Sequence, residues 1–315
     1  MIGVSWVPVI DIGDAAGAVP RIARACETVG FFSVVGHGVP FELIEQTTRS
    51  ARTFFDLPLV DKMAVAMPYP GYPYGYSPMT GESLAASLGY GGHPDLKESF
   101  AIGPVDPPAH VIADPDESFA WSENLWPMGV EGFRDSWEAY FRSCADLSSR
   151  LLSMMALALD LPAEYFAPLI DRHTSAMRAL NYPRVDQPLP GQLGAGAHTD
   201  YGTLTILLPD YAQGGLQVRG ADGTWHDVEP VPGSFVVNLG DAMARWTNDR
   251  WCSTMHRVLN PAGRRQSVAF FHNANWDAVI DCIASCLGPG EAPRYGPIGA
   301  GPHLMQKFQS TVNLR

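Results

Sequence analysis

Several features are missing from this 315-residue sequence, and each absence removes a class of protein. No stretch approaches the roughly 20 apolar residues that a membrane-spanning helix needs. The first residues also lack the basic start and apolar run of a secretory signal, so we expect a cytoplasmic protein. Lys and Arg number 21 against 33 Asp and Glu, for a formal net charge of −12. Because phosphate binding requires a basic surface, neither nucleic acid nor an anionic membrane is the expected partner.

Cysteine is scarce as well. The five residues Cys26, Cys144, Cys252, Cys282 and Cys286 are odd in number and show no paired spacing, which is typical of free thiols in a reducing compartment. No second pair or nearby histidine accompanies the last two, so a zinc site is not expected. The chain also lacks a phosphate-binding loop, a dinucleotide-binding glycine motif, HExxH and a nucleophile elbow. The sequence therefore gives no motif-based support for a nucleotide-dependent enzyme, a zinc peptidase or a serine hydrolase.

One short segment, AHTDYGTLTILL, narrows the chemistry most. It places His198 and Asp200 one residue apart, directly before the apolar and β-branched run 203–208, which is typical of a buried strand. Alternate residues of a strand point to the same side, so the pattern predicts that both side chains face one ion from a strand edge. His256, in the strand-like segment 254–259, supplies a second imidazole. Two imidazoles and a carboxylate can cap one face of iron(II) and leave the other open.

Two other histidine positions compete for this role. His93 and Asp95 repeat the His-x-Asp pattern, but Pro94 and the neighbouring glycines favour a loop with no strand behind it. His37 lies between two glycines after a strand and is expected to be a turn residue. We therefore keep His198, Asp200 and His256 as the predicted metal ligands.

Short strand candidates follow one another after the His-x-Asp segment, separated by turn signals such as Ala221-Asp222-Gly223. They are 215–218, 224–228, 234–239, 254–259 and 267–272. Short strands at this spacing indicate an antiparallel double-sheet roll or barrel, in which distant strands converge at one mouth.

Arg265 and Ser267 are again two residues apart, at the start of a predicted strand. A planar guanidinium beside a hydroxyl is suited to holding a carboxylate bidentately. Taken in isolation, the two residues are better explained as a surface arginine and a strand serine. Arg264, next in sequence, must point the other way and is expected to lie outside any site.

The chain as a whole resembles the isopenicillin N synthase-like branch of the iron(II)/2-oxoglutarate-dependent dioxygenases. The matching segments run in the same order along nearly the whole sequence: VPVIDI, ACETVGFFSVVGHGVP, ARTFFDLPLVDK, DLKESFAIGP, LNYP, AHTDYGTLTILL, GGLQV, VPGSFVVNLGD, STMHRVLNP and RRQSVAFFHN. An ordered set of this kind is far more specific than any one motif.

The resemblance implies roles for individual residues. His198, Asp200 and His256 would be the iron(II) ligands, Arg265 and Ser267 would grip the distal carboxylate of 2-oxoglutarate, and Tyr182 would contact this co-substrate or lie in the core. The implied reaction uses O2 to oxidise an unactivated C–H bond of a small organic substrate by hydroxylation, desaturation or cyclisation, with release of succinate and CO2.

Two alternatives remain open at the level of sequence. Isopenicillin N synthase and the ethylene-forming plant oxidases keep the Arg-x-Ser pair without using 2-oxoglutarate, so an iron(II) oxidase or cyclase of that type is one. A non-catalytic barrel that binds a small molecule is the other. The presence of all three ligand candidates and of the arginine favours the 2-oxoglutarate-dependent oxygenase.

The first half of the chain is predicted to be helical. Asp14 and Gly30 are expected to cap and terminate a helix over 14–29, and a second helix is expected over 41–55. Apolar residues recur at three- and four-residue steps over 130–159, which predicts a long helix on which the strands rest.

These elements and the resemblance give the fold class: α+β, mainly β, with a double-stranded β-helix (jelly-roll, cupin-like) core, an N-terminal helical region and a long supporting helix. We expect one compact unit with four parts: an N-terminal mixed region (1–110), a linker with the supporting helix (111–172), the catalytic core (173–280) and a C-terminal segment with a helix (281–315).

The substrate is the least determined part. The tyrosine-rich run 69–76, YPGYPYGY, continues as a loop to about Gly92, and its prolines argue against a regular strand or helix. It either packs on itself or walls the substrate site. Predicted substrate residues, partly from the resemblance, are Tyr74, Tyr76, Tyr201, Leu204, Phe271 and Asn273.

Four further residues are candidates for supporting roles. Arg178 and Arg184 can bind a substrate acid, although Arg178 is equally explained as an outward-facing ion-pair residue. Asp241 and Asn238 can support the metal ligands but are better explained as turn residues. The Pro/Gly-rich segment 288–302 precedes a predicted helix, 303–311, which by resemblance closes over the site. We expect a monomer or a weak homo-oligomer.

Overall fold

The computed structural model describes residues 6–84, 93–108 and 112–311. The helices are α1 (Ala15–Thr28), α2 (Phe41–Asp56), α3 (Leu59–Met63), α4 (Pro115–Ala120), α5 (Phe133–Ala158), α6 (Ala167–Ile170), α7 (Asp241–Trp246) and α8 (Ala300–Thr311). Within these described ranges, none of the helices is both long enough and apolar enough to cross a membrane.

The strands form two main sheets and one small pair. They are β1 (Val9–Asp11), β2 (Phe31–Val35), β3 (Gly75–Ser77), β4 (Glu98–Ile102), β5 (Ala176–Tyr182), β6 (Ala195–His198), β7 (Leu204–Leu208), β8 (Leu216–Arg219), β9 (Trp225–Asp227), β10 (Phe235–Leu239), β11 (His256–Val258), β12 (Arg265–His272), β13 (Val279–Ile280) and β14 (Ile298–Gly299). An eight-stranded sheet has the order β1-β2-β10-β7-β12-β5-β4-β3, a four-stranded sheet the order β6-β11-β8-β9, and β13 pairs with β14. Only the β1–β2 ladder is parallel among those of the two main sheets in the described part of the chain.

The two main sheets pack face to face, as the jelly-roll prediction requires. A hydrophobic cluster between them joins Leu180 and Ala269 of the large sheet to Leu216 and Val258 of the small one. We call the side of the eight-stranded sheet that faces the four-stranded sheet its inner face, and the opposite side its outer face. Among the described residues, the two sheets remain separate ladders and do not close into one continuous barrel.

The helices cover the outer face. Because side chains alternate along a strand, Ile206 and Phe270 lie in this helix-side core while Leu207 lies against the inner cluster. α5 is the main support: Phe141 is 2% exposed, and its ring meets that of Phe270 edge to face at 4.9 Å. The predicted long helix is therefore confirmed, and it holds the sheet from behind the site.

Local signals set the bounds of α1 as expected. The Asp14 side chain accepts a hydrogen bond from the backbone N–H of Gly17, which satisfies one of the free donors of the first turn. Gly30 has a φ of +69° directly after the helix, a conformation that favours glycine. A Cβ at this position would also lie 2.1 Å from the carbonyl oxygen of Cys252, so α1 can leave directly into β2 only with glycine here.

Two expectations about local structure were wrong. Tyr76, in the proline-rich run, belongs to the edge strand β3, which pairs with β4, because the last proline of the run precedes the strand. Helix α8 begins at Ala300 and not at 303, since Pro302 lies in the first turn, where its missing N–H costs nothing. Residues 85–92 of the predicted loop lie outside the described residues.

Candidate metal and co-substrate site

His198 and His256 face each other in the four-stranded sheet. They are direct partners in the β6–β11 register, and their ring centroids are 4.2 Å apart. Asp200 does not lie on a strand, contrary to the prediction, because β6 ends at His198 and the chain then crosses to the large sheet, where β7 begins at Leu204. The His-x-Asp spacing thus spans a crossover between the two sheets.

The crossover loop is fixed against the start of α7. The backbone N–H of Asp241 donates to the carbonyl oxygen of Asp200 at 2.8 Å, and that of Gly240 donates to Thr203 at 3.1 Å. A Cβ on Gly240 would lie 2.2 Å from the carbonyl oxygen of Gly202, so only glycine permits this close approach. Asp200 is therefore held by backbone contacts and does not need a strand.

Each imidazole is oriented by its own backbone. The Nδ1 atom of His198 lies 2.7 Å from the carbonyl oxygen of Gly196, and that of His256 lies 3.1 Å from the carbonyl oxygen of Thr254. A carbonyl only accepts hydrogen bonds, so Nδ1 carries the proton in both rings and Nε2 presents its lone pair. This is the arrangement that metal-binding histidines adopt.

The three candidate ligand atoms converge on one point. The Nε2 atoms of His198 and His256 lie 3.9 and 3.7 Å from Oδ1 of Asp200, and the set fits within 4.8 Å. The side chains are 13%, 9% and 6% exposed for His198, His256 and Asp200, respectively. No other group of three such residues able to hold a metal is found within 6–84, 93–108 and 112–311.

The hydrogen bonds of the Asp200 carboxylate leave one of its two oxygens available for a metal. Its Oδ2 accepts hydrogen bonds from Thr205 Oγ1 at 2.6 Å and Asn238 Nδ2 at 2.7 Å, which leaves Oδ1 toward the imidazoles. Asn238 lies on β10 and Thr205 on β7, so the large sheet orients the carboxylate. The expectation that Asn238 is a turn residue was wrong, and Thr205 was not singled out from the sequence.

Electrostatics keep His198 and Asp200 in the forms that a metal needs. Burial, reinforced by the neighbouring His256, lowers the pKa of His198 to about 3, so this ring is neutral at pH 7. Burial alone would raise the pKa of Asp200, but the two imidazoles and the hydrogen bonds from Asn238 and Thr205 lower it below its ordinary value. The neutral His198 ring, the Nε2 atom of His256 and the Asp200 carboxylate form a donor set suited to iron(II).

Arg265 and Ser267 lie side by side on the inner face of β12. Nη1 of Arg265 donates to Ser267 Oγ at 3.3 Å, and Nε donates to the carbonyl oxygen of Gly214 at 3.1 Å. The guanidinium carbon lies 4.9 Å from the ring centroid of Tyr182, its register partner on β5. Tyr182 is thus both a buried core tyrosine, 2% exposed, and a neighbour of the arginine.

The charge of Arg265 has no counterpart among the described residues. The side chain is buried, with the whole residue 2% exposed, yet none of the ion pairs in the described part of the chain includes it. A buried cation without an anion is costly, so this position is suited to an external carboxylate. Arg264, by contrast, points to the outer face and bonds Asn181 and Asp56, as expected from its position.

Three predicted substrate residues are buried, and two of them lie on the outer face of the large sheet. Tyr76 and Leu204 lie in the helix-side core, 2% and 1% exposed, and the Tyr76 hydroxyl donates to Glu98. Tyr74 is 3% exposed and donates to the carbonyl oxygen of Ala120. The prediction is wrong for Tyr76 and Leu204 because it did not include the strand register that decides which face each side chain joins. For Tyr74, which precedes β3, it stays a prediction.

The other substrate candidates lie closer to the inner face. Phe271 packs against the inner cluster, and Asn273 donates through Nδ2 to the carbonyl oxygen of Thr174. Tyr201 follows Asp200 in the crossover loop and is partly exposed. Arg184 forms an exposed pair with Asp186 at 2.8 Å, outside the space between the sheets.

A cluster of charged side chains on the inner face was not predicted from the sequence. Lys97 lies 2.6 Å from Asp95 and 3.3 Å from Glu82, and Glu82 in turn bonds Arg178. The sequence offered only one signal, the DLKES segment before β4, and a lysine at such a place is usually exposed. Asp95 accepts the backbone N–H of Gly196, so the second His-x-Asp pattern is a loop, as predicted, that braces β6.

Comparisons with known proteins agree with this geometry. Residues 173–274 match a model described as 2OG-Fe(II) oxygenase superfamily, and residues 7–129 match one described as non-haem dioxygenase in morphine synthesis N-terminal. The chain is 38% identical to the 2-oxoglutarate-Fe(II) type oxidoreductase hxnY of Emericella nidulans, over 90% of this chain and 81% of that protein. It is 34% identical to a homoarginine-6-hydroxylase of Arabidopsis thaliana, over 95% and 91% of the two chains.

Solved structures give the same result. A full-length Neurospora crassa protein, crystallised in complex with alpha-KG, superposes with a TM-score of 0.85 at 30% identity, covering 96% of both chains. The jelly-roll prediction is thus confirmed, and the 2-oxoglutarate-dependent enzyme is supported over the two alternatives. The chain belongs to the 2-oxoglutarate-Fe(II) oxygenase superfamily and is an iron(II)- and 2-oxoglutarate-dependent dioxygenase that uses O2.

Proposed function

We propose that His198, Asp200 and His256 hold the iron(II), that Arg265 and Ser267 hold the distal carboxylate of 2-oxoglutarate beside Tyr182, and that the enzyme hydroxylates a small organic molecule. The observation that carries this assignment is the convergence of three ligand atoms, each left available by the hydrogen bonds of its own side chain. The buried Arg265, without an anionic partner in the described structure, supports the second half of the assignment.

The chemistry supplied by bound iron(II) is the use of O2 and 2-oxoglutarate to oxidise a C–H bond, with succinate and CO2 as by-products. The protein's own residues position the reactants. Thr205 and Asn238 fix the Asp200 carboxylate, Gly214 and Ser267 fix the guanidinium of Arg265, and the apolar inner cluster restricts the entry of water.

Hydroxylation is proposed over desaturation or cyclisation because two of the similar proteins are named homoarginine-6-hydroxylase and proline hydroxylase. The named molecules are small, which agrees with a site enclosed between two sheets. We further propose that the protein acts in the cytoplasm, as a monomer or weak homo-oligomer, and that neither nucleic acid nor a membrane is its partner, since its net charge is −12.

The assignment is tested by anaerobic titration of the iron(II) protein with 2-oxoglutarate, followed through the weak visible charge-transfer band of a metal-bound keto acid. Arg265→Ala should raise the apparent Kd for 2-oxoglutarate by about 30-fold or more, because a buried charge partner is removed. Arg264→Ala is a matched control: it deletes the adjacent arginine on the outer face and should leave the titration unchanged.

Two results would overturn the assignment. Equal losses in the Arg264 and Arg265 variants would show that the band reports general damage to β12. Iron binding that survives replacement of His256 by Ala would show that the ligand set is different.

A further inference from the structure

We propose that Arg178 binds a carboxylate of the substrate, so that this enzyme oxidises small carboxylic acids. The inference rests on the proposed function, because it takes the space over the inner face, beside the triad and Arg265, as the substrate site. It concerns a residue that has no part in holding iron(II) or 2-oxoglutarate.

Arg178 lies on the correct face of the sheet. Met177 and Ala179, its neighbours on β5, are buried in the helix-side core, whereas Leu180 and Tyr182 belong to the inner cluster. Because side chains alternate along a strand, Arg178 shares the inner face with Leu180 and Tyr182.

Its position relative to the metal site follows from the register. Arg178 pairs with Ala269 of β12, which pairs with Leu207 of β7. β7 carries Thr205, the residue that holds Asp200. Neighbouring strands are separated by about 4.8 Å, so the backbone of Arg178 lies about 10 Å across the sheet from β7. A small molecule whose acid group contacts Arg178 can therefore extend toward the triad.

The guanidinium has donors to spare. In the hydrogen bonds between described residues, Nη1 alone is used: it bonds Oε1 and Oε2 of Glu82 at 2.8 and 2.9 Å. No hydrogen bond from Nη2 or Nε of Arg178 to another described residue is present, and the side chain is 26% exposed. The Nη2–Nε edge of a guanidinium matches a carboxylate bidentately.

Glu82 positions Arg178, and its carboxylate is not available to bind a cationic substrate. Both of its oxygens are already bonded to Arg178, and Oε2 also lies 3.3 Å from Lys97. Lys97 pairs in turn with Asp95, and the four side chains sum to zero charge. At the accessible end of this cluster, the unused hydrogen-bonding groups are the N–H donors of Arg178. These donors favour an anionic oxygen of the substrate.

The cluster is rigid at one end and accessible at the other. Lys97 and Asp95 are 2% and 3% exposed in their side chains, whereas Glu82 and Arg178 are 24% and 26% exposed. Asp95 also accepts the backbone N–H of Gly196, two residues before His198. Arg178 is thus held in a fixed relation to β6, as positioning of a target C–H bond requires.

The test uses the full-length protein loaded with iron(II) and saturated with 2-oxoglutarate under anaerobic conditions, so that Arg265 is already occupied. The probes are straight-chain carboxylates from butanoate to decanoate, and phenylacetate, each compared with its primary amide. Binding is measured by ligand-observed NMR, and a zinc-loaded sample gives the diamagnetic reference for proton relaxation by iron(II).

If Arg178 binds the acid, at least one acid binds about 10- to 100-fold more tightly than its amide, as a charge-assisted pair implies. Protons far from the carboxylate then relax faster than those beside it. Arg178→Gln removes the preference, Arg178→Lys retains only part of it, and Arg184→Gln, which alters an exposed arginine, leaves it intact.

The inference is overturned if acids and amides bind alike, if Arg178→Gln keeps the preference while its thermal unfolding matches the wild type, or if no acid in the series binds. Failure of the proposed function has a separate signature. Succinate release from 2-oxoglutarate and O2 without added substrate does not depend on Arg178, and its absence would refute the proposed function whatever the acids do.

Discussion

The Nε2 atom of His256 lies 3.7 Å from Oδ1 of Asp200, although His256 lies on the four-stranded sheet and Asp200 in the crossover loop that leads to the eight-stranded one. His256 begins β11 of the four-stranded sheet, whereas Asp200 is oriented by Thr205 and Asn238 of the eight-stranded sheet. The site is therefore a meeting point of the two sheets, and its geometry depends on both.

Loss of an imidazole should abolish metal binding selectively. In His256→Ala, we expect succinate formation to be lost and iron(II) affinity to fall by more than about 10- to 100-fold. That range is typical when a residue that only hydrogen-bonds to a metal ligand is replaced. His226→Ala is the matched control, because His226 lies on the edge strand β9, two strands from His256, and stacks on Trp6. Isothermal titration with iron(II) under anaerobic conditions measures both. Equal affinities in the two variants would refute the ligand assignment.

Thr205 should matter through the carboxylate that it holds. Thr205→Val keeps the shape of the side chain but removes the hydroxyl that donates to Asp200 at 2.6 Å. We expect iron(II) affinity to fall by about 10- to 100-fold, with an unchanged circular dichroism spectrum. Thr53→Val, on the exposed side of α2, should change nothing. An unaltered iron(II) affinity in Thr205→Val would mean that Asn238 alone orients Asp200.

The Glu82 carboxylate should make the free energy of unfolding depend on pH. Burial opposes its ionisation, but the charges of Arg178 and Lys97 outweigh burial and lower the pKa of Glu82 to about 2, from an ordinary value of 4.5. A lowered folded-state pKa stabilises the protein above pH 4.5, and this contribution is lost as the pH falls from 4.5 toward 2. The wild type should therefore exceed Glu82→Gln in unfolding free energy at pH 7, by a margin that shrinks at pH 3.

Urea unfolding at the two pH values measures this margin. Glu229→Gln, at an exposed position after β9, provides the control and should differ little from the wild type at either pH. A Glu82→Gln margin that stays constant between pH 7 and pH 3 would show that the ion pairs of Glu82 do not act as described.

The supporting helix should dominate stability. Phe141→Ala removes a buried ring that joins α5 to Phe270 of β12, and such truncations cost about 3–5 kcal/mol. Leu157→Ala on the same helix alters a side chain that is 47% exposed and should stay within about 0.5 kcal/mol. Thermal or chemical unfolding distinguishes them. Similar costs at both positions would contradict the packing described for α5.

The elements best predicted from the sequence were those specified by neighbouring residues. The Asp14 cap, Gly30 and the apolar spacing in 130–159 are local signals, and the structure follows them. The sequence did not show that Asp200 lies between two strands, because the chain passes from one sheet to the other within a few polar residues. The short sequence HTDYG is compatible with a strand edge and with a crossover alike.

The site residues that escaped prediction depend on distant partners. Lys97 is buried because Asp95 and Glu82 meet it there, and Leu204 differs from Thr205 only in the face that it joins. A shift of one residue reverses such a face, and no single segment encodes it. The triad itself was predictable because its chemistry requires particular residue types, whatever their secondary structure.

The division of the site between two sheets has a consequence for folding equilibria. An ion bound by His198, Asp200 and His256 binds the folded chain and has no matching site in the unfolded one, so its binding free energy adds to stability by mass action. The midpoint of thermal unfolding should therefore rise with free iron(II) concentration. In a cell short of iron, the population most exposed to proteolysis would be the metal-free protein, whose two sheets have lost a link between them.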